Sequence, residues 1–87
     1  MKIKKGFLLK EIANNYIVVA VSSAAKNFDG AITLNSVSAF LWKQLENEST
    51  IESLVTALVN EYEVDKKTAT NDVQDFVKKI QEAGLVE

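Results

Sequence analysis

The sequence contains no cysteine and no histidine. Without cysteine there is no disulfide, no thiolate nucleophile, no iron–sulfur ligation and no cysteine zinc site. Without histidine the commonest general base and the commonest metal ligand are missing. Catalysis would have to rest on carboxylates, lysine or hydroxyls, so the expectation is a non-enzymatic chain without metal or cofactor. Arginine is absent as well, which removes the commonest side-chain contact to guanine. Targeting signals are also missing. Lys2, Lys4 and Lys5 are followed only by Phe7-Leu8-Leu9 before Lys10, too short an apolar stretch for a signal peptide. The longest strictly apolar run, Ile17 to Val21, falls far below the roughly 20 residues that cross a bilayer. The expected location is the cytoplasm, with no membrane partner.

What is present describes one small domain spanning residues 1–87. The chain is 47% hydrophobic and 25% charged, with twelve acids against ten bases and a net charge of −2. At this size a domain buries only about 60 to 68% of the surface that its unfolded chain exposes. Nearly every long apolar residue is therefore needed for the core, and little remains to line a deep substrate pocket. Charge is unevenly divided: residues 1–43 hold six lysines and two acids, whereas residues 44–87 hold four lysines and ten acids.

The first third reads as strands. Phe7 to Ala13 and Tyr16 to Ser22 are β-branched or aromatic runs separated by the turn pair Asn14-Asn15, the pattern of a hairpin. The second run is apolar on both alternations, which predicts a central strand covered on at least one side. Asp29-Gly30 forms a further turn, and Ala31 to Leu34 is a short third strand at a sheet edge. From Asn35 the hydrophobic period changes from two to 3.6. Asn35 caps a helix whose apolar face holds Val37, Phe40, Leu41 and Leu45. Ser49 or Thr50 caps the next, with Ser49 and Glu52 at capping-box spacing, and its buried stripe is Ile51, Leu54, Val55, Leu58 and Tyr62. Asp65 caps a third helix with Ala69, Val73, Phe76, Val77 and Ile80 facing inward. Gly84 suits the residue after its end, and Leu85-Val86 fold back onto the core. The order β-β-β-α-α-α predicts an α+β domain of winged helix-turn-helix type, a three-stranded antiparallel sheet followed by three helices.

Four features invite a function. A helix-turn-helix-like arrangement suggests a winged-helix nucleic-acid binder, but that reading needs a basic recognition helix. The third helix instead sets Lys66, Lys67, Lys78 and Lys79 against Asp65, Asp72, Asp75 and Glu82. Asp72 with Asp75, and the cluster Glu61, Glu63 and Asp65, are paired carboxylates without the turn spacing or histidine that a metal or acid–base site would use; ordinary solvated surface accounts for them. Trp42 falls at the margin of the first helix's stripe, either half-buried against the sheet or part of a partner surface. The short third strand is the strongest physical cue. An edge strand offers unpaired N–H and C=O groups to an extended peptide, or weakly to a second copy of itself.

The run Ala25-Lys26-Asn27-Phe28-Asp29-Gly30-Ala31-Ile32-Thr33-Leu34-Asn35, with Ala39-Phe40-Leu41-Trp42 and Leu45, resembles the signature region of the coenzyme PQQ synthesis protein D family. Thr50 to Val55, Tyr62 to Asp65, Asp72-Val73 with Phe76, and Ala83 to Val86 are similar to the rest of that family in order and spacing. The resemblance implies a non-catalytic recognition domain. It would bind the leader of a ribosomally made precursor peptide and present it to a modifying enzyme, often a radical SAM enzyme, or to a leader protease. In that family the leader adds as a strand to the third strand, in a groove walled by the third helix. Carried onto this chain, the implied platform is Ala31, Ile32, Thr33 and Leu34, with Gly30 allowing close backbone approach. The implied wall is Asp72, Val73, Phe76 and Lys79. Phe76 or Val73 would receive an apolar leader side chain, and Asp72 and Lys79 would pair with charged ones. Val77 with Gln74 is the competing helix edge. Nothing in these residues separates PQQ, lasso-peptide and other modified-peptide pathways.

Overall fold

A computed structural model describes residues 1–21 and 32–87. The expected Asp29-Gly30 turn and two of the platform positions, Gly30 and Ala31, lie outside the described residues. Three strands, β1 (Phe7–Ile12), β2 (Asn15–Ala20) and β3 (Ile32–Leu34), precede three helices, α1 (Ser36–Gln44), α2 (Ile51–Tyr62) and α3 (Lys66–Glu82). The sheet order is β1-β2-β3 with both pairings antiparallel. The expected α+β architecture is therefore the observed one, with β2 central and β3 at an edge.

The hairpin turn falls one residue earlier than the asparagine pair suggests. Ala13 and Asn14 take positive φ, 49° and 71°, while Asn15 already pairs with Ile12. Two consecutive left-handed residues define the tight turn whose twist matches that of the flanking strands. That geometry, rather than asparagine content, chose the register.

Each helix starts at a side-chain cap. Asn35 accepts a hydrogen bond from the Ser38 N–H at 2.8 Å, and Asp65 accepts one from the Thr68 N–H at 2.9 Å, satisfying donors that the helix itself leaves free. For α2 the capping box joins Thr50 and Ser53, not Ser49 and Glu52: the Ser53 N–H donates to Thr50 Oγ1 and the Thr50 N–H to Ser53 Oγ. Ser49 is instead committed to the preceding loop, where its hydroxyl donates to the carbonyl of Gln44. Gly84, at φ 74°, follows α3 as expected, and Leu85 behind it is fully buried.

The core lies between one face of the sheet and the helices. Val18 and Leu34 from the sheet join Leu41, Trp42 and Leu45 of α1, Leu54, Val55 and Leu58 of α2, and Ala69, Val73, Phe76, Val77 and Ile80 of α3. Trp42 is 1% exposed, so it is neither half-buried nor part of a partner surface. The helix α1 touches α2, α3 and β3, and that enclosure buries a residue at the margin of its apolar stripe. Tyr62 departs the other way and is 39% exposed. It ends α2, where its ring meets Phe40 edge-on with centroids 5.6 Å apart and its hydroxyl donates to the Ser36 carbonyl.

The first residues complete the core, which their lysines concealed. Ile3 is buried and bridges Val86. Its N–H donates to the Leu45 carbonyl and the Lys4 N–H to that of Leu85, both at 2.9 Å. No helix among the described residues is long and apolar enough to cross a membrane.

Candidate functional site

Among the described residues β3 pairs only with β2, on one side. Beyond it the start of α1 and the middle of α3 enclose a groove of two joined depressions. One, of about 310 Å³, is lined by Asn35, Val37 and Ser38 from α1 and its cap, and by Asp72, Asp75, Phe76 and Lys79 from α3. The other, of about 590 Å³, is bounded by Thr33 and Leu34 of β3, by Asn35, Ser36 and Ser38, by the hairpin residues Asn14 to Tyr16, and by Lys79. Asn35, Ser38 and Lys79 border both. The groove therefore runs continuously from the hairpin end of β3, past Lys79, to Asp72.

Helical spacing explains the wall. Asp72, Asp75, Phe76 and Lys79 lie three or four apart, so they share one face of α3. Asp72, Asp75 and Lys79 are exposed, whereas Phe76 is buried and only its margin reaches the groove. Of the expected site residues, Thr33, Leu34, Asp72, Phe76 and Lys79 line the groove. Ile32 stands half-buried in β3 against the core. Val73 is 0% exposed and lines neither depression; it is a core residue, because at this turn α3 points straight at its neighbours. Neither member of the competing edge lines the groove: Val77 is in the core and Gln74 is exposed elsewhere.

Asp75, Val37 and the cap residues Asn35 and Ser38 also line the groove, and reasoning from the sequence did not place them there. The signal for Asp75 was its spacing from Asp72. Asn35 and Ser38 were concealed by their role in starting α1. No ion pair joins the groove charges among the described residues, and Asp72, Asp75 and Lys79 are exposed to solvent. An acidic end, an apolar floor and a basic middle can select charge and shape along an extended chain. Among the described residues no group of three or more acids is placed to hold a metal ion.

Residues 15–86 match the Coenzyme PQQ synthesis protein D (PqqD) family. The chain belongs to this family. The fold is similar to a solved structure of TbiB1 in complex with the TbiA(beta) leader peptide, with 25% identity, a TM-score of 0.77, and coverage of 100% of this chain and 95% of that one. It is also similar to lasso peptide synthetase B1 complexed with the leader peptide, with 18% identity, a TM-score of 0.73, and coverage of 97% and 93%. No curated relative matches the sequence. Both likenesses span nearly the whole chain, sheet and helices together.

Proposed function

We propose that this chain is a peptide-recognition module that binds the leader segment of a ribosomally made precursor and presents it to a modifying enzyme or leader protease. The observation that carries the reading is the groove along the free side of β3, in a PqqD-family fold similar to one solved with a leader peptide. The leader adds as a strand at Ile32, Thr33 and Leu34. Main-chain pairing supplies affinity and the groove supplies side-chain selection. Phe76 meets an apolar leader residue, Asp72 and Asp75 attract a cationic one, and Lys79 an anionic one. The module acts in the cytoplasm as a single domain without chemistry of its own. Duplex nucleic acid is a poor ligand for this surface, because two carboxylates stand on the exposed face of α3 and no arginine is available.

The test is an amide-resolved NMR titration of the domain with the precursor peptide encoded beside its gene, and then with a DNA duplex at moderate salt. Shifts concentrated at residues 30–34 and at Asp72, Asp75, Phe76 and Lys79 are expected with the peptide. A response to the duplex alone, centred on α3, would overturn the reading.

A further inference from the structure

The sheet has a second face. Side chains alternate along a strand, so Phe7, Leu9, Tyr16, Val18, Ile32 and Leu34 turn toward the helices, where all six belong to the core or pack against it. The intervening Leu8, Lys10 and Ile12 of β1 and Ile17 and Val19 of β2 turn the other way, and none of these is in the core or packed on it. Leu8 is 50% and Ile12 55% exposed. The register sets Leu8 beside Val19 and Lys10 beside Ile17, so four aliphatic side chains surround one lysine.

We propose that this outer face of the sheet docks the processing enzyme that receives the peptide, through an apolar patch on the enzyme that carries a carboxylate opposite Lys10. The choice of partner rests on the leader-binding reading; the surface itself does not. Charge selects this occupant over a second copy of the chain. The described residues pointing outward from the sheet are Leu8, Lys10, Ile12, Asn15, Ile17, Val19 and Thr33, and none is acidic. Self-packing would enclose two lysines with no acid among the described outward-facing residues to neutralise them, which is costly, whereas an acid-bearing partner neutralises the single one. Size points the same way. The spacing of strands and residues makes the patch roughly 10 Å by 20 Å, well short of the ~800 Å² per partner of a stable complex. Such a contact forms and dissolves readily, as delivery requires. The patch centres on Leu8 and Lys10 of β1, at the opposite edge of the sheet from β3, and the two sites approach each other only at the hairpin, where Asn15 pairs with Ile12 and also borders the groove, so peptide and enzyme can be held together.

The test uses the full chain, the purified modifying enzyme encoded beside its gene, and a synthetic leader of the neighbouring precursor. Enzyme affinity is measured without leader, and leader affinity without enzyme, for the wild type, Leu8→Ser/Ile12→Ser and Lys10→Glu. Both variants change only exposed side chains, and an unchanged thermal transition verifies their folding. The expected result is a loss of enzyme affinity of about tenfold or more in each variant, with leader affinity unchanged. Enzyme binding that is absent in the wild type, or equal in all three proteins, overturns the proposal. So does a wild-type dimer that Leu8→Ser/Ile12→Ser converts to a monomer. Failure of the wild type to bind leader would count against the leader-binding reading alone.

Discussion

Asp72 stands exposed on the groove rim without an ion-pair partner among the described residues, so changing it tests recognition without disturbing the core. Asp72→Lys should leave the melting temperature nearly unchanged and weaken binding of a leader with a basic residue at that point. The loss should be about fivefold at low salt, the scale of an exposed charge pair, and should shrink as added salt screens it. Calorimetric titrations at two ionic strengths check both parts. Asp65 offers a separate test. Hydrogen bonds from the side chain and then the backbone of Thr68 hold its carboxyl below the usual aspartate range. A lowered folded-state pKa stabilises the protein above the unfolded value, and that contribution is lost as pH falls through the folded one. Asp65→Asn keeps a good cap but removes the titration, so its unfolding curve should vary less with pH through the acid range. Val73, Phe76 and Trp42 mark where residue-scale reading stops. Periodicity identified Val73 and Phe76 as apolar positions of one helix, but only packing separates the one wholly inside from the one whose margin reaches the groove. Trp42 is buried because α2, α3 and β3 all meet α1, which its own helical phase does not reveal.

At the scale of elements, local chemistry predicted most starts and stops. Asn35, Thr50, Asp65 and Gly84 all act at the helix ends where their residue types suggested. The errors were of one position: the hairpin turn at Ala13-Asn14 and the capping box at Thr50 and Ser53. Neighbouring residues there have similar turn or cap chemistry, so strand register and helix packing made the choice. Gly84→Ala should cost about 1 kcal/mol, entirely through backbone conformation, because an added Cβ meets nothing within 4 Å. Chemical denaturation checks this, with an unchanged m-value expected. Ile32→Pro tests strand addition. Proline removes a ladder donor, so a folded variant whose Ile32 N–H faced the free side should lose peptide binding altogether. Retained binding in that variant would move the peptide away from β3.

At the scale of the whole molecule the two ends of the chain close the core together. Ile3 and Val86 form a bridge, and the N–H groups of Ile3 and Lys4 bond the carbonyls of Leu45 and Leu85. Ile3→Ala should therefore lower stability by about 2 to 3 kcal/mol, at the lower end for a buried isoleucine because it lies near a chain end. The loss should appear as one cooperative transition at lower temperature, since the end of α1 and the residues after α3 both bond to that segment. Composition and periodicity alone determined that the chain is a small α+β fold and ordered its elements, because hydrophobic spacing and cap chemistry are local properties written residue by residue. The same information placed β3 at an edge and separated an acidic helical half from a basic strand half. Only the tertiary structure decided which side of α3 borders β3, that Asp75 and the cap of α1 share its groove, and that Leu8 and Ile12 stand exposed on the outer face of the sheet. Those are relations between surfaces distant along the chain, set by how helices rotate and pack against a sheet, and no local pattern encodes that rotation.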